Sequence, residues 1–272
     1  MKFPRPRLRV VIRRYHVILT GSILLLTGAV IPSGWEPPVR AMIPKPPDPV
    51  EPATPRHPWI ALTFDDGPHP VLTEQLLQVL RDQRVPATFF VVGKMADRYP
   101  QLIQEIAQDG HEIENHTYTH RCMTHMDRET VMNELAQTRA VIRRLTGHDS
   151  ILFRPPGGDY TSAMVRATSH AGYHMVLWSV LTNDVVGASR LKMMHRVETG
   201  AGDGGIILMH SGVKSTMALL PEMIYWLRGH GYHFVTVSTL LGLSSDSPYR
   251  QPIVPVMQTA SRSRPTEHST IQ

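Results

Sequence analysis

Between residues 59 and 237 the chain alternates short apolar, β-prone runs with segments of helical periodicity, about seven times. The runs lie at 59–64, 87–92, 111–115, 151–153, 173–179, 205–209 and 233–237. Helices are expected at 71–84, 99–108, 127–146, 161–171, 189–199 and 215–228. Strands separated by helices return to the same edge of a sheet and run parallel. The pattern therefore predicts a single α/β domain built as a parallel barrel or near-barrel. The chain length of 272 residues allows one such domain plus tails.

The first strand ends in Thr63-Phe64-Asp65-Asp66-Gly67-Pro68, two adjacent carboxylates followed by a turn. In α/β folds the place where a strand hands over to a helix is the mouth where ligands bind. Two like charges this close are costly unless a cation or a donor stabilises them. Alternation along a strand should turn Asp65 and Asp66 toward different partners. The third strand runs into His116-Thr117-Tyr118-Thr119-His120, so this i, i+4 histidine pair sits at a strand end and not on a helix. One carboxylate with two imidazoles is a donor set for zinc or a similar ion, with positions left for water and substrate. A solvated Asp-Asp-Gly turn and a structural histidine pair are the plain alternatives. Their occurrence at two strand ends of one sheet favours a metal site.

With these residues in place the chain resembles the polysaccharide deacetylase family, the NodB-homology domain. Five short motifs occur in the family's order: 63–67 and 116–120, then Arg154-Pro155-Pro156-Gly157-Gly158, Leu181-Thr182-Asn183-Asp184-Val185 and Ile207-Leu208-Met209-His210. The similarity spans residues 59–241. It implies a distorted parallel (β/α)7 barrel and a metal-dependent N-deacetylase acting on an N-acetylglucosamine polymer, peptidoglycan first. Chitin, exopolysaccharide and O-acetylated xylan are alternative substrates. By the same resemblance Asp66, His116 and His120 hold one divalent ion, zinc first, with cobalt, nickel and manganese as alternatives. Asp65 is the implied general base, Arg154 its partner, His210 the general acid and Asp184 the carboxylate that orients it. The backbone N–H of Gly157 is an implied oxyanion donor. The chain departs from the family at Gly157, Leu181 and Val185, where an aromatic residue, an aspartate and a tryptophan are usual. The acetyl pocket is then expected to be lined differently, with Ile207 and Met209 as candidates.

The ends of the chain read differently. Lys2, Arg5, Arg7, Arg9, Arg13 and Arg14 give the first 14 residues a charge of +6, so the remainder of a net +5 chain carries −1. The basic character is thus a property of the leader, and no nucleic-acid surface is expected. With the apolar run 17–31, residues 1–31 read as a signal peptide or signal anchor, hence a protein exported to the cell-wall side and secreted or held at the membrane. Residues 32–58 are a proline-rich linker, 59–242 the catalytic domain and 243–272 a disordered tail. A monomer is expected. Cys122, the only cysteine, reads as a buried structural thiol. Two other classes stay open at this point: a glycoside hydrolase using Asp65 and Asp66, and a non-catalytic wall-binding domain.

Overall fold

The computed structural model describes residues 57–243. The expected leader, most of the linker and almost all of the tail lie outside these residues. Along the described chain the elements are β1 (Trp59–Asp65), α1 (Leu72–Gln83), β2 (Thr88–Val91), α2 (Gly93–Arg98), α3 (Pro100–Gln108), β3 (Glu112–Asn115), α4 (Arg128–Thr146) and β4 (Leu152–Phe153). They continue with α5 (Ser162–His170), β5 (His174–Met175), β6 (Val180–Leu181), α6 (Arg190–Gly200), β7 (Gly205–His210), α7 (Lys214–Gly229), β8 (His233–Phe234) and α8 (Val237–Leu240).

Seven strands form one parallel sheet in the order β5-β4-β3-β2-β1-β7-β6, and the short β8 pairs with the start of β1. The sheet curls, and β1 is its most widely paired strand, bonded to β2, β7 and β8, with six of its residues in register with β7. Among the described residues the end strands β5 and β6 do not pair with each other. The barrel is therefore open on one side, the distorted (β/α)7 form that the motifs imply.

Burial on both faces explains the near-continuous apolar run of β1, buried from Ile60 to Asp65. Outward residues, among them Leu62, Phe64, Phe89, Val91, Ile207 and Met209, pack with Leu76, Leu77 and Leu80 of α1 and Leu220 and Ile224 of α7. Ala61, Phe90, Leu152 and Val176 form a smaller inner cluster, joined by Val237 of α8. That helix caps the lower end of the barrel: Val237 N–H donates to Thr88 Oγ1 and Ser238 N–H to the Glu112 carboxylate.

The expected α4 is found, with Asp127 Oδ1 accepting from Thr130 N–H at 2.7 Å and Gly147 closing it at φ +76°. Three expectations change. The strand at 173–179 shrinks to β5, because the Val176 and Leu177 carbonyls accept from the Arg154 guanidinium and not from a neighbouring strand. The last strand stops at Phe234, since the Thr236 side chain caps α8. Cys122 is exposed, its thiol 3.1 Å from Thr124 Oγ1 in the loop beyond His120.

α2 was not legible as a helix, because its six residues bury only Gly93 and Ala96 and carry no apolar period. Its first residue is closely packed: a Cβ on Gly93 would meet Thr138 Oγ1 and Tyr118 Cδ2 at 2.5 Å each. Gly93→Ala should therefore destabilise the fold by about 1–3 kcal/mol, the usual cost of overpacking, as read from urea unfolding. A variant as stable as the parent would show that this contact can relax freely.

Candidate active site

All strands point the same way, so their C-terminal ends gather at one mouth. Asp65 ends β1 with its side chain inward. Asp66 leaves the strand at φ +70°, which stops the alternation and turns its carboxylate toward β3 as well. His116 Nε2 lies 3.7 Å from Asp65 Oδ2 and 3.3 Å from Asp66 Oδ1, and His120 Nε2 lies 3.0 Å from the same Asp66 oxygen. His116 Nδ1 is 2.8 Å from the Arg154 carbonyl oxygen. A carbonyl can only accept, so Nδ1 carries a hydrogen and Nε2 is the ring atom turned toward the carboxylates. Burial works against the Asp66 carboxylate, but the two imidazoles outweigh it and hold its carboxyl well below the usual range. Asp66 Oδ1 nevertheless has no hydrogen-bond partner although buried. One ligand atom from each of Asp66, His116 and His120 falls within 4.8 Å of the others. Contacts of 3.0–3.3 Å match the roughly 3.3 Å between donors around a tetrahedral zinc. The donor set fits a small divalent cation.

Asp65 is only 3 % exposed and belongs to a second pair. Arg154, wholly buried, donates from Nη1 to Asp65 Oδ1 at 2.7 Å and to Thr63 Oγ1 at 2.8 Å. Its Nε and Nη2 donate to the carbonyls of Val176 and Leu177. The guanidinium lies 4.1 Å from the Phe90 ring centroid and 5.7 Å from that of Trp178. Strand β4 ends at Phe153, and the Pro155-Pro156 sequence keeps the next residues extended, which delivers Arg154 inward.

A third pair faces these across β1 and β7. Asp65 and His210 are register partners on adjacent strands, hence about 5 Å apart along the sheet. His210 Nδ1 donates to Asp184 Oδ1 at 2.8 Å, and the His210 backbone N–H donates to Oδ2 of the same carboxylate. Thr216 on α7 adds a 2.6 Å hydrogen bond to Oδ2. Burial opposes the charged ring, but Asp184 outweighs it and raises the His210 pKa above its ordinary value. Burial likewise opposes the Asp184 carboxylate, and its bonds from His210 and Thr216 hold its pKa below the usual range.

The structure thus brings Asp65, Asp66, His116, His120 and Arg154 into one contact network, with Asp184–His210 beside it. Gly157 lies on the exposed turn after Arg154 at φ +68°, outside that network. Ile207 and Met209 do not line the mouth. With His210 turned inward, the two-residue period sends both outward into the helix-covered core, where neither is exposed. Leu181 and Val185 are exposed at the mouth. The sequence reading missed Thr216 and Glu134. Both lie on the buried stripe of their helices, at 216–219–220–223 and 131–134–135–138, where a polar residue needs a partner.

A parallel barrel with carboxylates and imidazoles gathered at its strand ends belongs among the hydrolytic α/β barrels. Comparison with known proteins narrows the class. Residues 53–176 match the polysaccharide deacetylase family, and the chain belongs to it, among enzymes that remove acyl groups from polysaccharides by hydrolysis. It is 36% identical over 187 residues to a peptidoglycan-N-acetylglucosamine deacetylase of Bacillus cereus, covering 67% of this chain and 87% of that one. It is 37% identical over 156 residues to a chitooligosaccharide deacetylase of Sinorhizobium fredii, covering 57% and 73%. A family 4 carbohydrate esterase from Streptomyces lividans, solved with acetate, superposes with a TM-score of 0.62 at 32% identity over 65% of this chain and 91% of that one.

The Arg154–Asp65 pair gives a stability test. Removing one partner of a buried pair leaves an uncompensated charge and costs about 3–5 kcal/mol. Arg154→Met should lose that much in urea unfolding, and adding Asp65→Asn should recover part of it. A double variant no more stable than the single one would mean that the other contacts of Arg154 carry the loss.

Proposed function

We propose that this protein hydrolyses the N-acetyl amide of N-acetylglucosamine units in peptidoglycan, releasing acetate, with one zinc ion held by Asp66, His116 and His120. The observation that carries the reading is the convergence of those three donors beside the Asp65–Arg154 and Asp184–His210 pairs. The Bacillus cereus relative, named for peptidoglycan, supports the substrate. The same name and the basic, apolar leader support action outside the cytoplasm by a protein exported or held at the membrane; a monomer is part of the proposal.

A divalent ion at this position, when bound, acidifies a water and polarises a carbonyl oxygen. Asp65 accepts the proton of the attacking water, and Arg154 fixes the orientation of that carboxylate through Oδ1, leaving Oδ2 for the proton. The water oxygen adds to the acetyl carbon, and the Gly157 backbone N–H is the proposed donor to the resulting oxyanion. His210, protonated on Nε2 while Nδ1 is held by Asp184, gives that proton to the nitrogen as the C–N bond breaks. The products are acetate and a free amine. A glycoside hydrolase would need Asp65 and Asp66 as an independent carboxylate pair across a sugar. Here both flank His116, and Asp65 is tied to a buried arginine.

Purified protein should release acetate from peptidoglycan, lose that activity with a chelator and regain it with zinc. Asp65→Asn should abolish turnover while still binding zinc, and Asp66→Asn should weaken zinc binding itself. Release of reducing sugar ends in place of acetate, or full activity after exhaustive metal removal, would overturn the reading.

The pH dependence tests His210. A general acid works only while protonated, so the rate should fall as pH rises through its pKa. Asp184 favours the imidazolium, so Asp184→Asn should lower that pKa and move the alkaline limb of kcat/KM to lower pH. An alkaline limb that stays in place would remove His210 from this role.

A further inference from the structure

His120 stands on a loop with an uncommon backbone. Thr117 and His120 adopt φ of +65° and +59°, a region that non-glycine residues hold only where their surroundings impose it. The surroundings here form a clamp. On one side the first amides of α2 take the loop's carbonyls, Gly93 N–H donating to Thr117 O at 2.9 Å and Lys94 N–H to Tyr118 O at 3.0 Å. On the other side a single carboxylate takes three of the loop's donors. Glu134 Oε2 accepts from the backbone N–H of Tyr118 at 2.9 Å and of Thr119 at 2.7 Å, and Oε1 accepts from Thr119 Oγ1 at 2.7 Å.

Glu134 is 8 % exposed and faces inward from α4. Among the described residues no lysine or arginine pairs with it, and these three contacts come from the two residues immediately before His120. An anion on a buried helix stripe is costly unless fully bonded, and the loop supplies the bonds. Among the described residues the dependence is mutual: these amides donate to no other acceptor, and the carboxylate accepts from no other donor. The Nε2 of His120 then arrives 3.0 Å from Asp66 Oδ1.

We propose that Glu134 is a positioning residue that presents His120 to the cation and thereby sets the affinity of the site. This rests on the metal reading above. Groups that orient ligands in this way typically change metal affinity 10–100-fold when removed. The effect should come from hydrogen bonds and not from the charge alone. A glutamine retains an oxygen for the two amides, and its NH2 can donate to Thr119 Oγ1.

The test is the zinc dissociation constant of the full chain, measured by competition with a chromophoric chelator, beside the melting temperature of the zinc-free protein. Glu134→Ala should raise Kd about 10–100-fold, and Glu134→Gln should recover most of that loss. Glu134→Asp keeps the charge but withdraws the carboxylate by one methylene, so it should resemble Ala; it also serves if the Ala variant does not fold. Wild-type Kd in the Ala or Asp variant, with only the melting temperature lowered, would make Glu134 a brace for α4 and overturn the inference. Equal losses in Gln and Ala would also overturn it, by assigning the effect to charge. If the parent protein itself fails to bind zinc, the metal reading falls instead.

Discussion

The guanidinium of Arg154 is the point on which the mouth of this barrel depends. It is a cation with no exposure, and burying such a charge is prohibitive unless its donors are occupied. Four of the N–H donors of its planar fork reach the Asp65 carboxylate, Thr63 Oγ1 and the carbonyls of Val176 and Leu177. The first two partners lie at the end of strand β1. The last two lie in the segment between β5 and β6, where strand pairing lapses. The residue that orients a carboxylate of the site is thus also the tie across the open side of the barrel. A lysine could place a charge there but could not reach these acceptors together.

The same economy recurs on either side of the mouth. His116 is oriented through Nδ1 by the backbone carbonyl of Arg154, so the guanidinium residue fixes a second site residue without its side chain. His210 is oriented by Asp184, whose second oxygen is held by Thr216 from α7. His120 stands on a loop bonded to Glu134 from α4. Two of these supports, Thr216 and Glu134, are polar side chains on the buried stripes of the surrounding helices. This keeps imidazoles and carboxylates within contact distance of each other without leaving their outer atoms unbonded.

Expectation and structure part for different reasons at different places. The run at 173–179 has the composition of a strand, yet Arg154 claims its carbonyls and ends the ladder. Ile207 and Met209 lie beside His210 in sequence, yet the two-residue period that turns His210 inward turns both of them away. Leu181 and Val185, which replace the polar and aromatic residues usual in the family, do stand exposed at the mouth.

The alternation of apolar runs and helical periods determined by itself that the strands are parallel and that their ends share one mouth, because period and length depend only on local residues. The order of Asp, His and Arg at those ends likewise determined the chemistry on offer. Only the tertiary structure decided how these groups meet. Asp66 turns at φ +70°, bringing both carboxylates to His116, and Arg154 meets Asp65 across 89 positions of chain. Glu134 and Thr216 read from sequence as unremarkable polar residues on amphipathic helices. Their roles depend on donors and acceptors supplied by other elements, and such long-range hydrogen bonds leave no periodic trace in the segment that carries them.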